Sequence, residues 1–159
     1  MVAQPENPEL LAALTNELGA VSAFVELLQQ EQSLLTENQT DKLLVLAEQK
    51  SFQAINLNQV AEVRRRLLRN HFPDPTHDAI QAWLTTHSAA GLALWQKIYV
   101  LAEQAQQINH INGELIQMKL RHNQQSLATL SQAVRKADLY GPDGQHSFAP
   151  GNGRSLGNV

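Results

Sequence analysis

The apolar residues of the first third of the chain recur at alternating spacings of three and four, which is typical of one helix face. Asn7, Pro8 and Glu9 supply a start signal, because Asn caps a helix, Pro tolerates its first position and Glu suits the positive end of its dipole. The stripe that follows is Leu11, Leu14, Leu18, Val21, Val25, Leu28, Gln32 and Leu35. This pattern predicts a long helix that needs a partner helix to cover it, and Asn38 is expected to end it in a left-handed conformation.

A second helix is expected over about residues 41–70, capped by Thr40 and Asp41. Two seven-residue registers run along it, one with Leu43, Lys50, Leu57 and Arg64 and the other with Ala47, Ala54, Ala61 and Leu68. The alanines let two backbones approach closely, and the short connection predicts an antiparallel hairpin with the first helix. Lys50 and Arg64 fall on the seam, where we expect their aliphatic stems to pack. Phe52 and Ile55 are expected to lie to one side of this seam.

The segment 71–75, with two prolines, should stop the second helix. A short helix over 78–84 and a very long one over 89–137 are predicted after it. The seam of the long helix is Leu94, Ile98, Leu101, Ala105, Ile108, Ile111, Leu115 and Met118, and it then shifts to Ile116, Leu120, Leu127, Leu130 and Val134. That shift is expected, because an α-helix has about 3.6 residues per turn and gradually falls out of step with an apolar repeat of about 3.5 residues.

These elements predict an all-α fold, an elongated and coiled-coil-like antiparallel bundle of three long helices with one short helix. We expect the bundle to occupy residues 1–137. Glycine and proline recur without periodicity beyond that point, which predicts a flexible tail over residues 138–159.

Composition narrows the function. The chain has no cysteine, which excludes disulfides and thiolate metal sites, and its net charge of −3 gives no general attraction to nucleic acid. The N-terminus lacks the basic start and apolar run of a signal peptide, and no run of about 18 apolar residues predicts membrane insertion. We therefore expect a soluble cytoplasmic protein.

Candidate chemistry is sparse. No glutamate has a histidine three residues later, so the carboxylate–histidine pairs of di-metal bundles are missing. His110 and Glu114 lie one turn apart and are expected to be polar neighbours on a helix flank. The arginines 64–66 and Arg69 are expected to form a solvated flank near Glu62. No catalytic residue, metal ligand or cofactor is predicted, which favours partner binding.

The C-terminal stripe of the long helix, with Leu120, Leu127, Leu130 and Val134, is the best candidate for a partner-binding surface. The alternative is that these residues pack within the bundle, against Leu34 and Leu35 or against the loop near Phe72. Sequence alone leaves both alternatives open.

Several spacings together resemble the family of FlgN-type flagellar export chaperones over about residues 9–145. They are Leu27, Leu28, Glu31 and Leu35, then Leu43, Leu46 and Lys50, then the arginine run before Leu67 and Leu68, and finally Leu139, Tyr140, Gly141 and Gly144. Each spacing is degenerate, and their order along the chain carries the resemblance.

The resemblance implies a cytoplasmic type III export chaperone. Such proteins hold the C-terminal segments of flagellar hook-associated proteins and deliver them to a membrane protein of the export gate. In this family the C-terminal part makes the contacts with cargo and with the export gate. The resemblance therefore implies that these contacts are made here by Leu127, Leu130, Val134, Leu139 and Tyr140. A non-catalytic coiled-coil scaffold or adaptor, which would dimerise through its seams, is the alternative. A second alternative is a metalloprotein or enzyme of the helical-bundle kind. The sequence does not decide whether the free protein is a monomer or a homodimer.

Overall fold

The computed structural model describes residues 7–73 and 75–139 of the 159-residue chain. Over these residues it contains α1 (Pro8–Thr36), a 3₁₀ turn (Thr40–Lys42), α2 (Leu43–Leu68), α3 (His77–His87) and α4 (Ala89–Leu139). No strand occurs in the described residues, so the predicted all-α class is confirmed. The predicted tail lies outside the described part of the chain, apart from Asp138 and Leu139, which continue α4.

The ends of α1 are those that the sequence indicates. The Asn7 side chain accepts hydrogen bonds from the backbone N–H of Glu9 at 3.1 Å and of Leu10 at 3.3 Å. Asn38 has a φ of 58°, which is the left-handed conformation that a short polar side chain tolerates. The predicted cap of α2 is wrong, because Thr40 and Asp41 form the 3₁₀ turn and α2 begins only at Leu43.

The connection between α3 and α4 is tighter than predicted. Thr76 caps α3 by accepting from the backbone N–H of Ala79 at 3.2 Å, and the helix continues to His87. Only Ser88 breaks the helix, with an extended backbone at φ −156° and ψ 105°. Its hydroxyl accepts from the backbone N–H of Gly91 at 2.9 Å and so caps the first turn of α4.

The structure divides after Ile116 into two compact units. The first unit holds the core, which draws apolar side chains from all four helices. Its members include Leu14, Leu28, Leu68, Ile80, Leu84, Trp95 and Ile98. The described part of the second unit is the remainder of α4, from Gln117 to Leu139.

A buried ion pair joins α1 to α2 near one end of the first unit. Glu17 accepts from Arg64 Nε at 2.7 Å and from Arg64 Nη2 at 3.2 Å, so the pair is bidentate. The guanidinium carbon lies 4.8 Å from the centre of the Trp95 ring of α4. We call these three residues the arginine layer.

A second polar cluster joins the same three helices two heptads further along α1. Lys50 Nζ lies 3.0 Å from Glu31 Oε2, and Asn112 Nδ2 donates to Glu31 Oε2 at 3.0 Å and to the Leu28 carbonyl at 2.9 Å. We call Glu31, Lys50 and Asn112 the asparagine layer. Between the two layers the numbering rises along α1 and α4 and falls along α2. The predicted antiparallel pairing of α1 with α2 is therefore observed, with α4 parallel to α1.

The seam of α4 agrees with the predicted one as far as Ile108, which packs against the core, and differs from it beyond that residue. Asn112 is fully buried, whereas Ile111 is 44% exposed and Met118 is 57% exposed. The expectation that the seam passes through Ile111 and Met118 is wrong. The buried positions Gly91, Ile98, Ala105 and Asn112 instead recur every seven residues. The polar side chain of Asn112 hides this continuation in the sequence.

Helix α1 is long and apolar enough to cross a membrane by length and composition alone, which differs from the expectation of no such segment. The core helix of a soluble protein meets the same criterion. Leu14, Val21 and Leu28 of α1 are buried in the core, and Glu17 and Glu31 form its two interhelical ion pairs. The apolar composition of α1 is thus accounted for by packing within the protein.

Candidate partner-binding surface

The C-terminal part of α4 presents apolar side chains to solvent. Every residue from 121 to 139 is exposed. Among them and just before them, Leu120, Leu127, Leu130 and Val134 are between 53% and 65% exposed. We call these four residues the terminal row.

Helix geometry places the terminal row on one face. At about 100° of rotation per residue, the four side chains fall within an arc of about 80°, and they span about 21 Å along the axis. A helix with such a stripe has one side that another amphipathic helix can cover. The arrangement therefore suits docking of a helical segment.

The other two predicted contact residues do not extend the terminal row. Leu139 is 60% exposed but is rotated by about 100° from Leu120 around the helix axis. Tyr140 lies outside the described residues. Both therefore remain predictions based on the family resemblance.

The residues that the alternative names, Leu34, Leu35 and Phe72, all belong to the first unit. Leu35 is buried and Leu34 is partly buried. Phe72 packs against the core and makes an edge-on contact with Trp83 at 6.3 Å. The four residues of the terminal row are exposed, which is the condition that docking requires.

A second exposed apolar face lies on α2 and was only partly anticipated. Leu44, Val45, Phe52 and Ile55 are all more than half exposed. Phe52 and Ile55 lie off the seam as predicted, whereas Leu44 and Val45 were not identified. The signal for them is the run of apolar residues from 43 to 46, which is wider than one helix stripe can bury. This face provides matched control positions for experiments on the terminal row.

The polar residues singled out in the sequence lie mostly on the surface of the described part of the chain. His110 Nε2 lies 3.4 Å from Glu114 Oε1, and both side chains are exposed, as expected of polar neighbours one turn apart. Within the described residues, no three His, Cys, Asp or Glu side chains converge in a group that could hold a metal ion. Arg65 and Arg69 pair with Glu62 at 3.1 and 3.5 Å on the surface, as expected for a solvated flank. Arg64 contradicts that expectation, because it is buried in the arginine layer.

Comparison with known proteins identifies the family. The family described as FlgN protein matches residues 1–147. The Flagella synthesis protein FlgN of Escherichia coli strain K12 is 28% identical over 149 residues, which cover 92% of this chain and 96% of that protein. The protein of the same name from Yersinia enterocolitica serotype O:8 is 29% identical over 146 residues, covering 91% and 93% of the two chains. No solved structure matches. The match over nearly the whole chain and the all-helical fold agree, and the chain belongs to the FlgN family of flagella synthesis proteins.

Proposed function

We propose that this protein is a cytoplasmic chaperone without catalytic activity, which binds the C-terminal helical segments of flagellar hook-associated proteins. It keeps these segments from assembling prematurely and delivers them to a membrane protein of the flagellar type III export gate. Family membership supports the flagellar role. The single observation that supports the binding mode is the exposed terminal row.

The physical reason for this assignment is that a self-assembling helix needs its apolar face covered before export. The terminal row offers a complementary apolar face about 21 Å long, which is roughly four helical turns. Covering a leucine that is now about two-thirds exposed is worth about 1–2 kcal/mol. Two such leucines therefore contribute about 2–4 kcal/mol, or a factor of roughly 30 to 1000 in affinity.

The charge around the terminal row predicts which cargo segments bind most favourably. Residues 117–139 contain Lys119, Arg121, Arg135 and Lys136 against the single acid Asp138, so four positive charges less one negative charge leave +3. The whole chain carries −3. A cargo segment with acidic residues beside its apolar stripe is favoured, and association should slow as salt is added.

Isothermal titration calorimetry with C-terminal segments of hook-associated proteins tests the proposal. We expect at least micromolar affinity for the unaltered protein and about 30-fold or greater weakening for Leu127→Gln/Leu130→Gln. Glutamine has nearly the helix propensity of leucine, so α4 should keep its helicity. The matched control is Phe52→Gln/Ile55→Gln, which removes two exposed apolar side chains of α2.

The control should bind like the unaltered protein. Equal weakening by both double variants would show that general hydrophobicity and not the terminal row drives binding. Absence of heat with every cargo segment would favour the scaffold interpretation. Sedimentation of the free protein completes that comparison, because a homodimer sealed by the terminal row would dissociate in Leu127→Gln/Leu130→Gln.

The family resemblance assigns cargo and export-gate contacts together to Leu127, Leu130, Val134, Leu139 and Tyr140. Because Leu139 and Tyr140 do not extend the terminal row, we propose that these two residues contact the export gate. Tyr140→Ala should leave cargo affinity unchanged within twofold and reduce export of the cargo in cells. Full export by Tyr140→Ala would contradict this assignment.

A further inference from the structure

Helix α2 carries apolar side chains on two opposite faces. Its inner face packs within the first unit through the buried residues Leu46, Ala61, Arg64 and Leu68. Its outer face carries five apolar side chains that are between 39% and 72% exposed, and we call them the outer stripe: Leu44, Val45, Phe52, Ile55 and Val63. At about 100° of rotation per residue, the outer stripe fills an arc of about 100° that is centred nearly opposite the inner face. A surface helix of a globular protein normally needs one apolar face, so the second face indicates a further binding partner.

The outer face of α2 has the spacing of a coiled-coil seam. Alternating steps of three and four residues connect its seam positions, which are Val45, Glu48, Phe52, Ile55, Gln59, Glu62 and Arg66. If a second copy of α2 lies antiparallel about the point between residues 53 and 54, Phe52 is level with Ile55 of the second copy. Leu44 is then level with Val63 of the second copy. The outer stripe is therefore complementary to an antiparallel copy of itself, as a two-fold interface requires.

The charged residues of the outer face favour the same antiparallel arrangement. Asp41, Glu48 and Arg66 are exposed, and none of them forms an ion pair within the described part of the chain. The antiparallel alignment places Asp41 level with Arg66 of the second copy, and it does so twice. It also places Glu48 level with Gln59 of the second copy, whose amide can donate a hydrogen bond. A parallel alignment would place each of these charges beside its own copy, which would be repulsive.

Glu62 is the seam residue that comes within one turn of Glu48 of the second copy. It is already paired with Arg65 at 3.1 Å and with Arg69 at 3.5 Å. The negative charge of Glu62 is therefore offset within each copy before the two copies meet.

We propose that the outer stripe is the surface through which two copies of this chain associate, with their α2 helices antiparallel. The stripe extends about 28 Å along the helix axis. Five partly exposed side chains bury less area than a permanent dimer, whose interface covers about 2,000 Å² or more. Association is therefore reversible, with a dissociation constant on the order of 10 µM. The interface uses no residue of the terminal row, and the inference does not rest on the proposed function.

Sedimentation equilibrium of the full chain tests the proposal, over concentrations from about 1 to about 300 µM that bracket the expected dissociation constant. The mean mass should rise from 17.6 kDa toward twice that value. Phe52→Gln/Ile55→Gln should weaken association by about 30-fold or more, because four apolar side chains leave the interface of the two copies. The matched control is Leu127→Gln/Leu130→Gln, which removes as many exposed apolar side chains and should change the dissociation constant by less than twofold.

Unfolding in urea checks that both double variants stay folded, which is expected because all four replaced side chains are exposed. A monomer at every concentration, or equal weakening by both double variants, would overturn the proposal. Dissociation only in Leu127→Gln/Leu130→Gln would assign the contact between copies to the terminal row and would overturn it as well.

Charge changes at Gln59 test the antiparallel orientation. Gln59→Lys adds two ion pairs with Glu48 and should strengthen association by about fivefold, whereas Gln59→Glu should weaken it by about fivefold. Parallel helices would place residue 59 beside its own copy, so both changes would then weaken association. Gln107→Lys adds the same charge on the exposed surface of α4 and should change the dissociation constant by less than twofold. Weaker association of Gln59→Lys would contradict the antiparallel interface.

Calorimetry with cargo keeps this inference separate from the proposed function. Phe52→Gln/Ile55→Gln should lose self-association and keep its cargo affinity, and Leu127→Gln/Leu130→Gln should do the reverse. If Phe52→Gln/Ile55→Gln still self-associates but loses cargo binding, the outer stripe belongs to cargo and the inference is wrong. The sedimentation measurements use no cargo, so failure of either proposal leaves the other intact.

Discussion

The run of three arginines in α2 offers a sharp test of the arginine layer, because two adjacent members have opposite environments. The side chain of Arg64 is 11% exposed and pairs with a Glu17 side chain that is 6% exposed. The side chain of Arg65 is 52% exposed and pairs with a Glu62 that is 57% exposed. The same chemical change at these two positions should therefore have very different consequences for stability.

Arg64→Met leaves the Glu17 carboxylate buried without its counter-ion, which costs about 3–5 kcal/mol. At about 2–4 °C per kcal/mol for a chain of this length, the Tm should fall by roughly 6–20 °C. Arg65→Met removes only an exposed ion pair, worth about 0.2–1 kcal/mol, so its Tm should fall by no more than about 4 °C. Thermal and urea unfolding followed by circular dichroism at 222 nm measure both.

A double variant separates the cost of the orphaned charge from the cost of lost packing. Glu17→Leu/Arg64→Met removes both charges, and well-packed apolar replacements of a buried ion pair are often neutral or stabilising. We expect it to recover at least half of the stability that Arg64→Met loses. Equal losses for Arg64→Met and Arg65→Met, or a double variant less stable than Arg64→Met alone, would refute the reasoning.

Four further substitutions test capping and packing in the same unfolding assays. Asn7→Ala removes the cap of α1 and should cost about 1 kcal/mol, whereas a change under 0.3 kcal/mol would contradict the cap. Gly19→Ala should stabilise by about 0.5–1 kcal/mol, because nothing lies within 4 Å of the added Cβ. Gly91→Ala should destabilise by about 1 kcal/mol, because its Cβ would lie 3.0 Å from Leu84 Cδ2 and from Ser88 Oγ; equal effects at the two glycines would refute this. Asn112→Ala removes two buried hydrogen bonds and should cost about 2 kcal/mol; a neutral result would show that the asparagine layer does not stabilise the fold.

Local signals in the sequence predict much of the secondary structure. Asn7 caps the start of α1, and Asn38 adopts the left-handed conformation just after its end. Both features involve only neighbouring residues. Apolar periodicity correctly indicates long helices and the antiparallel hairpin. The stripe that forms the terminal row is likewise readable in the sequence, whereas its exposure is not, because the pattern alone does not decide whether these residues complete the bundle.

The polar layers could not be predicted in the same way. Periodicity treats a polar residue as a solvent-facing one, so the pattern predicts Ile111 and not Asn112 at the buried position. Glu17 and Glu31 lie 47 and 19 residues from their partners Arg64 and Lys50. Such pairing depends on the register between helices, which a single helix pattern does not contain.

The packing around Arg64 escapes sequence analysis for a related reason. Arg64 belongs to α2, its partner Glu17 to α1 and Trp95 to α4, so no motif of fixed spacing joins them. The arginine run predicts a solvated flank, which is correct for Arg65 and Arg69 as exposed ion pairs with Glu62. The burial of Arg64 and Trp95 depends on how the helices pack, which the pattern of one helix does not contain.

Hydrogen exchange measured by mass spectrometry, with and without a C-terminal segment of a hook-associated protein, is the direct test of whether the terminal row binds cargo. Binding at the terminal row should slow exchange over residues 117–139 and leave exchange over residues 43–56 of α2 unchanged. Protection confined to α2, or no change along α4 under conditions where the complex forms, would contradict the assignment of the terminal row as the cargo-binding surface.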